Sequence, residues 1–155
     1  MYDTQLELKD AGLVAADAAG TVGGTAKVID AGEAVMEGVL VIDLSAIEIA
    51  SGNELYKISL QGSVREDFAH SYEDLAIIEL GAKGVLGGDQ DSGVGVYAIP
   101  FSNVRKDKLF RYLRVFTDVS GSIATGINFT ARLQDSYGAS TMTTLAGTTT
   151  TTTTT

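Results

Sequence analysis

The stretch Leu55-Tyr56-Lys57-Ile58-Ser59-Leu60-Gln61 decides the fold. Tyr56, Ile58 and Leu60 fall on one side of an extended chain and Lys57, Ser59 and Gln61 on the other, the period-two pattern of a half-buried strand. The same pattern recurs on both sides of it, bounded by Gly, Asp, Asn and Ser. Residues 39–49 open on the apolar run Val39-Leu40-Val41-Ile42, which predicts a long strand buried on both faces. Residues 75–80 read as a further strand. Residues 94–101 read as a strand that contains Pro100, the one proline, and proline confines a strand to a sheet edge or ends it. Residues 108–119 read as the longest strand. Its two faces, Phe110, Tyr112, Arg114 and Phe116 against Leu109, Arg111, Leu113 and Val115, are both mostly apolar, so a central place is expected. Residues 127–133 close the series with Ile127, Phe129, Ala131 and Leu133 inward.

Toward the N-terminus, residues 2–8 read as a first strand with Tyr2, Thr4, Leu6 and Leu8 on one face. Residues 11–24, rich in Ala and Gly, read as an extended loop or arm, and residues 25–30 as a short second strand. Helical periodicity is scarce. About eight strands separated by turn signals predict an all-β fold, a β-sandwich or jelly-roll of antiparallel strands. The expected organisation is a single domain over residues 1–147, with an N-terminal strand and arm at 1–24. Residues 148–155, eight threonines in a row, have no core-forming pattern.

At 155 residues a single chain can bury a substantial core. It has no cysteine, which removes disulfides and thiolate metal sites. No basic segment leads into an apolar run of signal-peptide type, and no apolar run reaches the length of a membrane span. The net charge is −9, which predicts repulsion from nucleic acid and from anionic membranes. The charge is uneven: residues 1–104 hold five basic and 17 acidic groups, whereas residues 105–155 hold six basic and three acidic ones. Five of the 11 cations lie between Arg105 and Arg114. Two readings stand side by side: these cations pair with acidic neighbours in the same fold, or they meet an acidic face of another subunit.

A catalytic constellation does not emerge. His70 is the one histidine, and neither a metal cage nor a hydrolase triad assembles around a lone histidine in a polar loop. Asp89-Gln90-Asp91-Ser92-Gly93 starts like a calcium loop, but Val94 stands at the required glycine position and Pro100 at the bidentate glutamate position, so a turn is expected. The pairs Glu66/Asp67 and Glu73/Asp74 read as a solvated rim. Residues 81–88 lack the Gly-Lys-Ser/Thr ending of a phosphate loop, and residues 81–93 are expected to form a flexible loop. The expectation is therefore binding or assembly, with no catalytic residue, metal or cofactor.

Three segments together carry a resemblance: Met1-Tyr2-Asp3-Thr4-Gln5-Leu6-Glu7-Leu8, Val96-Tyr97-Ala98-Ile99-Pro100-Phe101-Ser102-Asn103, and Phe110-Arg111-Tyr112-Leu113-Arg114-Val115-Phe116-Thr117-Asp118-Val119 with its continuation to residue 131. They resemble the jelly-roll capsid cement (decoration) proteins of tailed double-stranded-DNA bacteriophages. The similarity spans most of residues 1–135 and leaves residues 81–93 and the threonine tail without a counterpart. It implies a homotrimer on the outer surface of an icosahedral head, seated at three-fold or quasi-three-fold positions on the major capsid protein, without nucleic-acid or membrane partners. Extended termini and long loops reach furthest from a sandwich, so Tyr2, Thr4, Leu6, Arg65, Phe68 and Tyr72 are the expected capsid contacts. Phe110, Tyr112, Arg114 and Phe116 are the expected trimer seam. The alternative is a carbohydrate-binding jelly-roll of a phage or bacterial surface structure. The chain has no tryptophan for a sugar platform and only six Tyr and five Phe.

Overall fold

A computed structural model of the chain describes residues 6–69 and 71–135. Six long antiparallel strands carry it: β7 (Glu37–Ile47), β8 (Leu55–Ser63), β9 (Tyr72–Gly81), β10 (Gly95–Ser102), β13 (Tyr112–Ser120) and β14 (Ile127–Asp135). They form two layers, β14-β7-β10 and β13-β8-β9. The N-terminal segment then edges both. Its pieces β1 (Glu7–Lys9) and β2 (Leu13–Val14) pair in turn with β14, and β3 (Ala18–Ala19) and β6 (Ile29–Asp30) pair in turn with β13. Between them the hairpin β4 (Thr21–Val22) and β5 (Thr25–Ala26) loops out. A second hairpin, β11 (Val104–Arg105) and β12 (Lys108–Leu109), precedes β13.

Taking each broken edge as one segment gives eight, in the order first-eighth-third-sixth in one sheet and second-seventh-fourth-fifth in the other. That is the strand order of a jelly-roll, two interlocked Greek keys. The first sheet is called sheet I and the second sheet II.

The core lies between the sheets, where period-two alternation places it. Leu40, Ile42 and Leu44 of β7 and Ile127, Phe129, Ala131 and Leu133 of β14 meet Tyr56, Ile58 and Leu60 of β8 and Leu113 and Val115 of β13. Each large apolar side chain removed from water here contributes about 1.5–3 kcal/mol. The Tyr56 hydroxyl donates to the Glu48 carbonyl at 3.0 Å, so its burial leaves no orphan, and that burial pushes its pKa up to about 12. As expected, β10 with its proline is an edge strand, paired among the described residues with β7 alone, and β13 is interior to its sheet.

Three expectations are corrected or narrowed. Residues 11–24 are the arm and not the loop of the two readings, and its pieces are strands: β2 pairs with β14, β3 with β13, and β4 with β5. Residues 81–93 carry a helical turn, α1 (Lys83–Leu86), and are tied back: Asp91 accepts from the Lys83 amide at 2.8 Å, and the Ser92 hydroxyl accepts from the Gly81 amide at 3.0 Å. Residues 108–119 are not one strand. β12 ends at Leu109 and β13 starts at Tyr112 because Phe110 turns inward. Its amide donates to the Asn103 carbonyl at 2.7 Å, its carbonyl accepts from Asn103 Nδ2 at 3.2 Å, and its ring is fully buried.

Candidate functional site

The register of sheet II builds its outer face in rows. Tyr72, Ser63 and Tyr112 align across β9, β8 and β13; then Asp74, Gln61 and Arg114; then Ile77, Ser59 and Phe116; then Glu79, Lys57 and Asp118. The middle strand alternates serines with longer polar side chains, Ser63, Gln61, Ser59 and Lys57. Ser59, Gln61 and Ser63 are buried although they point away from the core.

Arg114 organises this face. Its Nε donates to Gln61 Oε1 at 2.9 Å, and its guanidinium carbon lies 4.3 Å from the Phe68 ring centroid, 5.2 Å from Phe116 and 5.9 Å from Tyr72. Three ring faces around one planar cation form a cation–π nest. Partial burial pulls the Arg114 pKa below its ordinary value, with Tyr72 opposing. Phe68 reaches the nest because the β8–β9 connection folds back over the sheet. Arg65 grips Asp67 through two hydrogen bonds of 3.2 and 3.1 Å, the Phe68 amide donates to the Arg65 carbonyl, and Phe68 sits at φ 54°. A left-handed phenylalanine costs on the order of 1–3 kcal/mol and persists only where the surroundings hold it. Here the burial of its ring under Arg114 does so. Phe68 is buried but does not belong to the core cluster.

Around the nest the face is half open. Tyr72 is 50% exposed, Ile77 46% and Val64 43%. A concavity of about 450 Å³ between Val64, Arg65, Glu66, Asp67 and Tyr112 adjoins it. Along its rim Arg111 makes a paired contact with Asp30, at 2.7 and 2.9 Å, and stacks 5.1 Å from the Tyr112 ring. The Arg111 guanidinium holds the Asp30 carboxyl down at about 2. Lys57 and Asp74 pair at 3.2 Å.

The structure therefore joins two groups that the sequence kept apart. Tyr72 and Phe68, expected to face a capsid, stand against Arg114 and Phe116, expected to face a sister subunit. Tyr112 lies in the row next to them. Two assignments change. Phe110 is fully buried in the core, since the kink at Asn103 turns it inward, and it offers no surface to a partner. Phe68 is 4% exposed, covered against Arg114, and offers little surface to a partner. Of the N-terminal contacts, Leu6 packs against the chain's own core, and Tyr2 and Thr4 lie outside the described residues, as does His70. Arg65 is exposed, with its charge met by Asp67.

Of the cations between Arg105 and Arg114, only Arg111 pairs with a carboxylate among the described residues. Sequence reasoning missed Gln61, Ile77 and the Asp30 contact. Gln61 was legible in principle as an outward residue of β8, but its pairing with Arg114 needs the register. Among the described residues there is no cluster of His, Cys, Asp or Glu able to hold a metal ion, and no helix is long and apolar enough to cross a membrane. Comparison of the chain with protein-family models gives no match, and comparison with curated proteins gives none either.

Proposed function

We propose that this chain is a capsid cement protein, binding the outer surface of a tailed-phage head as a homotrimer at three-fold or quasi-three-fold positions on the major capsid protein. The observation that carries the reading is the outer face of sheet II. A jelly-roll that uses its interior for packing presents, on one sheet, an arginine held among aromatic rings and ringed by exposed Tyr72 and Ile77. Tyr, Phe and Arg are the residue types enriched where protein interfaces concentrate their binding energy. The three sequence segments that resemble cement proteins support the same reading, and the third of them supplies β13 and Arg114. Repetition around a symmetric oligomer lets each contact be modest, because avidity multiplies it. The carbohydrate-binding alternative gains little from this face: Phe68 is covered, Phe116 is half-buried, and Arg114 occupies the space between the rings.

The test mixes the full chain with expanded, DNA-filled heads and follows co-sedimentation. Ile77→Asp places a charge on an exposed position of the face, so the fold should keep its melting temperature while occupancy of heads drops at least tenfold. Full occupancy by this variant, or no binding by the unaltered chain, rules the proposal out.

A further inference from the structure

Natural sheets keep their edges from stray pairing by making them short, charged or covered. The N-terminal pieces that edge both sheets here are two or three residues long. β9, the other edge of sheet II, carries Glu73, Asp74 and Glu79, and Arg105 donates to its Leu75 carbonyl at 3.2 Å. β10, the other edge of sheet I, has only Pro100 as a guard. It runs for eight residues, and residues 92–104 contain no charged group. Its pairing with β7 holds one register from Gly95 to Ser102, with no bulge to twist the edge away.

Pro100 sets the phase of this edge. A proline fits an unbroken ladder where its missing N–H would face away from the partner strand. Val96 and Ala98 share that phase, so each turns its N–H and C=O away from β7. Their side chains point out of the sandwich, since Tyr97, Ile99 and Phe101 pack toward the core. Val96 is 67% exposed, more than any other large apolar residue described. Single exposed valines are common. Here the register sets Ala98 beside Val41 and Pro100 beside Val39, which makes an apolar strip across β10 and β7. The ends of the strip are acidic: Asp43 stands beside Val96 and Glu37 beside Ser102. Both are exposed, and neither forms an ion pair among the described residues. The nearest cation on this face, Arg132, lies beside Val41 and has Glu7 directly opposite it on β1.

We infer that β10 accepts an added strand from another protein, an extended segment with small apolar residues at alternate positions and lysine or arginine at its ends. Backbone hydrogen bonds to Val96 and Ala98 supply the affinity, and the side chains over the apolar strip supply the selection. The charge of the partner follows from Asp43 and Glu37. They lie about 20 Å apart along β7, so a strand of about seven residues spans them. The net charge of −9 draws a basic segment toward the same edge and opposes a second copy of this chain. The site is on the sheet opposite the Arg114 face and does not require a trimer.

Titration of the full chain, followed by the amide resonances of β10, tests this with a peptide of alternating valine and threonine that has lysine at both ends. N-methylation of every second residue leaves the peptide one edge of free N–H groups and stops it stacking on itself. The largest shifts should fall on Val96, Ala98 and their neighbours. Affinity should drop at least tenfold when glutamate replaces the two lysines, and again when every residue is N-methylated, which keeps side chains and charges but removes both edges. Val96→Lys alters an exposed outward position, so it should keep the melting temperature and lose binding at least tenfold. Asp43→Asn should narrow the preference for lysine ends over glutamate ends. Binding that survives full methylation or Val96→Lys overturns the inference, as does equal binding of the lysine and glutamate peptides or no binding of the lysine peptide. Self-association of the unaltered chain that Val96→Lys abolishes would give the edge to a second copy and overturn it too.

Discussion

Residue by residue, the alternation that defines the strands also shows where a side chain must be missing. Gly62 falls at an inward position of β8, in register with Leu113, where the pattern calls for a large apolar residue. The structure gives the reason. A Cβ there would lie 2.7 Å from Leu75 Cδ1 and 2.8 Å from Phe110 Cβ, because those two side chains already fill the space. Gly62→Ala is expected to cost about 1–3 kcal/mol through overpacking, read as a lower midpoint of urea unfolding with unchanged slope. An unshifted midpoint would show that Phe110 and Leu75 have room to move. The inward roles of Tyr56, Ile58, Leu60, Phe129 and Leu133 were legible from period two alone. Phe110 was not, because its direction is set by Asn103, which binds it through hydrogen bonds that no local pattern encodes.

Among elements, the connections at one end of the sandwich are fastened by two carboxylates. Glu48, just after β7, accepts from the amides of Ala124, Thr125 and Gly126 and from the Thr125 hydroxyl, which fixes the β13–β14 loop. Those hydrogen bonds, led by the one from Gly126, hold its pKa below the ordinary carboxylate value. Burial pushes the Glu54 carboxyl up, but backbone amides including those of Ser51 and Gly52 outweigh it and leave its pKa lowered as well. Groups whose folded pKa is depressed contribute stability that is complete above their unfolded value and disappears as pH falls through the folded one. The melting temperature should therefore be flat from pH 7 to about 5 and fall as the pH drops below the ordinary carboxylate range near 4.5. Glu48→Gln should flatten that fall and lower the neutral-pH value. An equally steep acid limb in Glu48→Gln would assign the loss to other groups. Ser51-Gly52-Asn53 reads as a turn in the sequence, but which acid closes which loop depends on strands distant in the chain. The same distance hid the nest on sheet II, since Gln61, Phe68 and Arg114 meet only after β8 and β13 pair.

The whole molecule is ordered by where its central strands come in the chain. The last two long strands, β13 and β14, are interior to the two sheets, and the first segment edges both of them, with Glu7 opposite Arg132 and Ala19 opposite Phe116. Neither sheet can close around its centre until nearly the full chain is present, and such non-local pairing makes folding slow, about milliseconds to seconds. The N-terminal arm has partners only once β13 and β14 are in place, so it docks late. Its anchor is Lys9, 5% exposed, whose ammonium donates to the carbonyls of Asp10, Gly12 and Phe129 at 2.9, 3.0 and 2.8 Å and lies 4.5 Å from the Phe129 ring. Lys9→Met keeps the apolar stem and strands those carbonyls, at a cost of about 2–4 kcal/mol. A contact formed after the folding barrier shows its loss in the unfolding rate. Stopped-flow measurements in urea should therefore find Lys9→Met unfolding faster by about 1.5 to 3 orders of magnitude, the full equivalent of that cost, with its refolding rate nearly unchanged. A slowed refolding limb with normal unfolding would place the arm in the nucleus and reverse this order of assembly.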